Sequence, residues 1–135
     1  MNRVLLVDRD PEFARAMGMA CLGAGVAIRM VENLCDGVRL MLHAPVSLVV
    51  VEAALLRLAG PDQVRLFDVV APGVPVMVTV PAETSAEDRV RLEIQGFLVM
   101  TKPLDIAEVL AKAEPHARPS PAGRAAAAEV GMLCG

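Results

Sequence analysis

Short apolar runs recur along the chain and alternate with segments in which apolar residues return every three or four positions. The runs have the length of strands and end at charged residues, proline or glycine, which is typical of strands buried on both faces of a sheet. The pattern predicts five strands, at residues 4–7, 26–31, 46–51, 75–80 and 97–100. Between and after them it predicts five helices. The first carries Phe13 in its apolar stripe and is expected to end at Gly23 and Gly25.

Capping residues mark where most of these helices begin. Asp10 is a good N-cap for the first helix, and Pro11 suits the first helical position, where no N–H is needed. The second and fifth helices are predicted to open at Asn33 and Asp105, and the fourth at a capping box over residues 84–87. The start of the third is unclear. In the fourth helix, which Gly96 is expected to end, Val90, Ile94 and the following Phe97 are expected to lie on one side.

Strands that alternate with helices require a parallel sheet covered on both faces. A length of 135 residues is enough for one domain with a real core. We expect that domain to span residues 1–114. Residues 115–135 are rich in Pro, Ala and Gly without an apolar stripe, so we expect a flexible tail that makes no contact with the core.

Composition excludes several classes of function. A net charge of −3 and an aromatic content of 2% argue against a nucleic-acid partner. The apolar runs are too short to span a membrane, and no signal peptide is visible. The three cysteines have no metal-ligand spacing, so we expect a protein of the reducing cytoplasm.

Acidic residues follow two of the predicted strands. Asp8 comes directly after the first strand, and Glu52 directly after the third, which is the most hydrophobic and therefore central. Because ligands bind at the carboxyl ends of parallel strands, this edge is the candidate site. Both acids could instead be solvated loop residues.

With this pattern the chain resembles the receiver domain of bacterial response regulators, over roughly residues 2–113. The segments that carry the resemblance, in order and at the right separations, are residues 4–11, 45–60, 75–78, 88–91 and 101–103. The resemblance implies a three-layer αβα sandwich of the flavodoxin-like or CheY-like type, with strand order 2-1-3-4-5. It also implies a cis peptide bond before Pro103. The chemistry of this family is transfer of a phosphoryl group from a partner histidine to an aspartate, assisted by Mg²⁺.

The family's site residues are only partly present in this chain. Asp8 matches the first of two acids after the first strand, but Arg9 stands in the place of the second. Glu52 occupies the position of the phosphoacceptor aspartate, and Lys102 matches the lysine after the fifth strand, with Pro103 following it. Asp10 completes the relic acidic pocket.

The two switch positions of the family are also altered. Val80 stands where the family has a Thr or Ser, and Thr79 lies one residue early, so its side chain is expected on the opposite face of the strand. The position usually held by an aromatic residue is Val99.

These departures predict a pseudo-receiver that is not phosphorylated. The family's site has a local charge of about −2, which a divalent cation neutralises. In this chain Arg9 and Lys102 offset Asp8 and Glu52, so we expect neither Mg²⁺ nor another cofactor. Lys102 should approach Glu52 or Asp8, whereas Arg9 either pairs with Glu52 or lies in solvent.

The predicted function is that of a phosphorylation-independent protein-interaction module in bacterial two-component signalling, and not of an enzyme. The resemblance implies partner binding through the face formed by the fourth helix, fifth strand and fifth helix. Leu92 and Phe97 are candidate contacts there, although Leu92 could equally be an isolated exposed residue. The alternative is a genuine phosphoacceptor with an unusual acceptor site, or one that uses Asp10 as a metal ligand.

Overall fold

The computed structural model describes residues 3–58 and 60–113 of the chain. The predicted domain boundary at residue 114 and the predicted tail over residues 115–135 lie outside the described residues.

The strands form a single parallel sheet. They are β1 (Arg3–Val7), β2 (Ala27–Val31), β3 (Leu48–Glu52), β4 (Val76–Val80) and β5 (Leu98–Thr101). Their order in the sheet is β2-β1-β3-β4-β5, and all neighbouring pairs are parallel, which confirms the predicted fold class. β3 is the central strand and β2 is an edge strand, as the sequence indicated.

Within residues 3–58 and 60–113, five helices connect and flank these strands. They are α1 (Pro11–Ala24), α2 (Leu34–His43), α3 (Gly60–Val70), α4 (Ala86–Ile94) and α5 (Ile106–Ala113), with a short 3₁₀ turn at Ala53–Leu55. Within the described part of the chain, no helix is long and apolar enough to cross a membrane.

The sheet carries a core on each of its faces, because successive side chains of a strand point to opposite sides. On one face, Val7 and Val51 pack in a cluster that includes residues of α2 and α3. On the other, Leu6 and Val50 pack with Met17 of α1 and with Val109 of α5. The central strands therefore end at an edge that is flanked by helices on both sides.

Helix α1 begins and ends as its sequence predicts. The Oδ1 atom of Asp10 accepts hydrogen bonds from the backbone N–H groups of Glu12 and Phe13, at 3.0 and 3.4 Å. Gly25 follows the helix in the left-handed conformation with φ of 70°. The Asp10 cap fixes the direction in which α1 leaves the end of β1.

The predicted start of α4 and the predicted grouping of Val90 and Ile94 with Phe97 are wrong. Ser85, not Thr84, is the N-cap, and it accepts a hydrogen bond from the backbone N–H of Asp88. Val90 and Ile94 are exposed to solvent, whereas Phe97 is buried, so the three residues do not share one side. The helix ends at Ile94, and the chain turns at Gly96, which has a φ of 97°.

The two candidate contact residues of this region lie inward. Phe97 is buried, and its ring packs edge-on against that of Phe67, with centroids 5.9 Å apart and planes at 86°. Leu92 is partly buried against the same core. The expectation that Phe97 offers a contact surface is therefore wrong, because the turn after α4 directs its ring into the core.

Candidate functional site

Asp8 lies at the carboxyl end of β1, where its side chain is fully buried. The Nζ atom of Lys102 donates a hydrogen bond to its Oδ2 atom at 2.8 Å, and the two groups form an ion pair. The other carboxylate oxygen, Oδ1, accepts from the backbone N–H of Asp10 at 2.8 Å. Both oxygens of Asp8 are therefore engaged by groups of the chain itself.

Lys102 reaches Asp8 from the end of β5. Its backbone N–H donates to the carbonyl oxygen of Val80 at 2.9 Å, and the Lys102–Pro103 peptide bond is cis, as the resemblance implies. The Nζ atom also lies 4.5 Å from the ring centroid of Phe13, within the range of a cation–π contact. The sequence had placed Phe13 in an apolar stripe and gave no sign of this contact.

Glu52 ends β3 and pairs with Arg9. The Nη2 atom of Arg9 donates to Oε1 of Glu52 at 3.1 Å, and Nε donates to Oε2 at 3.3 Å. The backbone N–H of Arg9 donates to Oε2 at 3.4 Å. The Glu52 side chain is 22% exposed and that of Arg9 is 52% exposed. Of the two arrangements left open for Arg9, the structure has the one in which it pairs with Glu52.

This pairing shifts the ionisation of both partners. Partial burial disfavours the charged form of Glu52, but hydrogen bonds and the positive charge of Arg9 outweigh it and hold the pKa of Glu52 below its usual value. The hydrogen bond to Glu52, followed by its negative charge, raises the pKa of Arg9. The two groups therefore remain ionised together over the physiological pH range.

Asp10 is occupied with capping α1. Its Oδ1 atom accepts the two helical N–H groups described above, while its own backbone N–H donates to Asp8. The alternative hypothesis assigned the Asp10 carboxylate as a metal ligand, but in this fold the carboxylate caps α1.

The relic switch positions are apolar or buried. Val80 packs in the core beside α2 and α3, and Val99 is partly buried against the same cluster. Thr79 is buried and is the register partner of Glu52 on the neighbouring strand. Its hydroxyl oxygen has no hydrogen-bond partner within residues 3–58 and 60–113.

The donor set at this edge does not fit Mg²⁺, the metal that the fold family implies. A magnesium site needs carboxylate oxygens with lone pairs directed at the ion. Here the oxygens of Asp8 face Lys102 and a backbone N–H, and those of Glu52 face the guanidinium of Arg9. No group of three or more potential metal ligands converges anywhere in the described ranges.

Comparison with curated proteins identifies response regulators as relatives. The chain is 33% identical over 106 residues to the transcriptional regulatory protein GlrR of Escherichia coli K12, and equally so to QseF of Escherichia coli O157:H7. Each match covers 76% of this chain but only 23% of the relative. The chain therefore spans less than a quarter of the length of these regulators. No protein-family profile matches the chain.

Solved structures with the same fold are receiver domains or response regulators. An orphan response regulator of H. pylori superimposes with a TM-score of 0.71 at 24% identity, covering 87% of this chain and 97% of its own. A Burkholderia pseudomallei response regulator, solved with a phosphorylated aspartic acid, calcium and citrate, gives 0.70 at 19%, with coverages of 98% and 72%.

A third comparison concerns a receiver domain with a bound metal. The receiver domain of the sensor histidine kinase PA1611 from Pseudomonas aeruginosa PAO1, which has magnesium in its active-site cleft, gives a TM-score of 0.68 at 19% identity. It covers 85% of this chain and 96% of its own length. The fold, the motifs and the curated relatives agree: the chain has the fold of CheY-like receiver domains, and its sequence is similar to that of response regulators.

Proposed function

We propose that this receiver domain acts as a phosphorylation-independent protein-interaction module in two-component signalling. The observation that carries the proposal is that the two acids that end β3 and follow β1 are each paired with a basic residue of the same domain. Asp8 is paired with Lys102, and Glu52 with Arg9. The site is thus neutralised without a metal ion.

Phosphoryl transfer depends on positioning and on stabilisation of the charge that develops on the phosphoryl group. In this chain Arg9 replaces an acid, and its cationic group repels a divalent metal ion. Glu52 carries one methylene more than aspartate, which displaces its carboxylate by roughly 1.5 Å. Both of its oxygens already accept hydrogen bonds from Arg9. These changes all act against the same reaction step.

Metal binding would also have to break existing contacts. A cation that ligates Oδ2 of Asp8 must displace the ammonium of Lys102, which then loses its carboxylate partner. A cation at Glu52 must displace a two-point contact with a guanidinium, the stronger class of hydrogen bond. The four paired side chains are equally unavailable as general acids or bases, so we propose no enzymatic role.

The proposed partner surface is the face formed by α4, β5 and α5. Ile94 on α4 is 80% exposed, Val90 one turn earlier is half exposed, and Leu98 on the edge strand β5 is also exposed. Ion pairs of Arg91 with Glu87 and Asp88 lie beside them. An apolar patch with a charged border suits a protein partner. These residues replace Leu92 and Phe97 as the candidate contacts.

The test of this function is incubation of the 135-residue chain with Mg²⁺ and acetyl phosphate, followed by intact-mass measurement. We expect no phosphoryl adduct on the unmodified chain. The matched control is the double variant Arg9→Asp, Glu52→Asp, which restores the family's acids and should gain the adduct. A stoichiometric adduct on the unmodified chain that is lost in Glu52→Ala would favour a genuine phosphoacceptor instead.

A further inference from the structure

A closed circuit of contacts links the end of β1, the start of α1 and the loop after β5. Asp8 accepts the backbone N–H of Asp10, and Asp10 in turn accepts the backbone N–H of Phe13. The ring of Phe13 faces the Nζ atom of Lys102, which returns to Asp8. Each member therefore helps to fix the next.

Phe13 is the member of this circuit that contributes an aromatic ring, and its side chain also packs against the core cluster that contains Met17 and Val109. Its ring is half-buried on the first turn of α1, with the ammonium 4.5 Å from its centroid. The negative face of an aromatic ring attracts a cation at this distance. The Lys102 side chain is 26% exposed, so the ring borders an ammonium that is already partly withdrawn from water.

Lys102 has a second carboxylate available nearby. Glu52 lies at the same edge of the sheet, and the positive charge of Lys102 contributes to the lowered pKa of Glu52. Yet among the described residues no hydrogen bond or ion pair joins Lys102 to Glu52, and the carboxylate bonded to the Nζ atom is that of Asp8. The lysine side chain has four flexible methylenes, so its pairing with Asp8 and not with Glu52 requires a structural cause.

We propose that Phe13 is a positioning residue that holds Lys102 on Asp8 and away from Glu52. The inference rests on the proposed function, in which the site is neutralised by internal ion pairs. In it, the ring of Phe13 determines which carboxylate Lys102 pairs with. With the ring in place, Lys102 pairs with the buried Asp8, and Arg9 pairs with the more exposed Glu52. Without it, Lys102 is expected to move toward Glu52 and to become more accessible.

The lysine content of the chain makes this directly measurable. Lys102 and Lys112 are its two lysines, and Lys112 is exposed on the last turn of α5. The experiment is limited acetylation of the full chain with acetic anhydride, in which the rate at Lys102 is divided by the rate at Lys112. For Phe13→Leu we expect this ratio to rise about two- to fivefold, because one cation–π contact is lost.

Two further variants separate the role of the ring from a general effect on the fold. Phe13→Tyr keeps the aromatic face and should keep the ratio of the unmodified chain. Phe97→Leu removes a buried ring that lies in the other core cluster, and should lower stability without changing the ratio. In addition, the ring current of Phe13 should shift the Hε protons of Lys102 upfield in the NMR spectrum, and Phe13→Leu should abolish that shift.

An unchanged acetylation ratio and unchanged Hε shifts in Phe13→Leu would overturn the proposal, as would failure of Phe13→Tyr to preserve them. These readouts are taken without Mg²⁺ or a phosphodonor. They report where the lysine lies, whereas the phosphorylation assay reports whether the site is active. A failure of one account is therefore distinguishable from a failure of the other.

Discussion

The Nζ atom of Lys102 and the Oδ2 atom of Asp8 are 2.8 Å apart, although they follow β5 and β1, which are not neighbours in the sheet. The lysine reaches across the ends of β4 and β3 to make this pair. The carboxylate is fully buried, so its charge depends on the ammonium for compensation. This contact joins the first strand to the last one at the candidate site.

Replacing Lys102 with methionine should destabilise the domain by about 2 kcal/mol, because the buried carboxylate of Asp8 loses its cation. The estimate lies below that for a fully buried pair, since the lysine is partly exposed. The measurement is urea unfolding at neutral pH. Lys112→Met is the matched control and should have little effect, because Lys112 lies on the surface. Equal stability of the two variants would contradict a structural role for the Asp8 pair.

Stability should also depend on pH through Glu52. Its pKa is lower in the folded protein than in the unfolded chain, so the unfolded chain binds the proton more tightly. The stabilisation is therefore present above the unfolded pKa, near pH 4.3, and is lost as the pH falls through the folded value. We expect the unfolding free-energy difference between the unmodified chain and Glu52→Gln to be constant above about pH 5 and to shrink below about pH 4. A difference that stays the same from neutral to acidic pH would show that the Arg9 pair contributes nothing.

The fold follows from local signals that agree with one another. Apolar runs predicted the five strands, and Asp10, Asn33 and Gly25 capped helices as expected. The prediction failed after α4, where Phe97 was grouped with Val90 and Ile94 although a glycine turn separates it from the helix. Side-chain direction after Gly96 is set by the turn and not by the period of the helix, so Phe97 became buried.

The site was predictable in its members but only partly in its pairing. The ends of parallel strands meet at one edge, which placed Asp8, Glu52 and Lys102 together from sequence. Which acid each cation would choose depends on three-dimensional packing. The ring of Phe13 belongs to that packing, and the helical period that placed it in an apolar stripe gave no indication of the ammonium beside it.

The proposed partner surface predicts an asymmetric effect of two similar substitutions. Ile94→Asp on α4 should abolish binding of the signalling partner, because it places a charge in the apolar patch. Leu22→Asp on α1 should leave binding intact, since Leu22 is 83% exposed, like Ile94 at 80%, but lies on another face. The measurement is recovery of partner with tagged chain from cells of the source organism. Equal losses for both variants, or no loss for Ile94→Asp, would contradict the assignment.

Restoring the family's acids should restore its chemistry in steps. Arg9→Asp removes the guanidinium and adds a third carboxylate, so Mg²⁺ affinity should rise. Phosphorylation by acetyl phosphate should need Glu52→Asp as well, because the acceptor oxygen is otherwise displaced. Intact mass and Mg²⁺ titration of each single variant and of the double variant separate these steps. Full phosphorylation of Arg9→Asp alone would show that glutamate is a competent acceptor in this site.

We propose that internal ion pairs occupy the place of the metal ion at this edge of the sheet. The measurement that tests it most directly is titration of the unmodified chain with Mg²⁺, followed by calorimetry and by backbone chemical shifts. We predict no saturable heat and no localised shifts at Asp8 or Glu52 up to millimolar Mg²⁺. Saturable binding in the millimolar range that maps to these two residues would contradict the account, because it would show that Mg²⁺ displaces Lys102 and Arg9 from the two carboxylates.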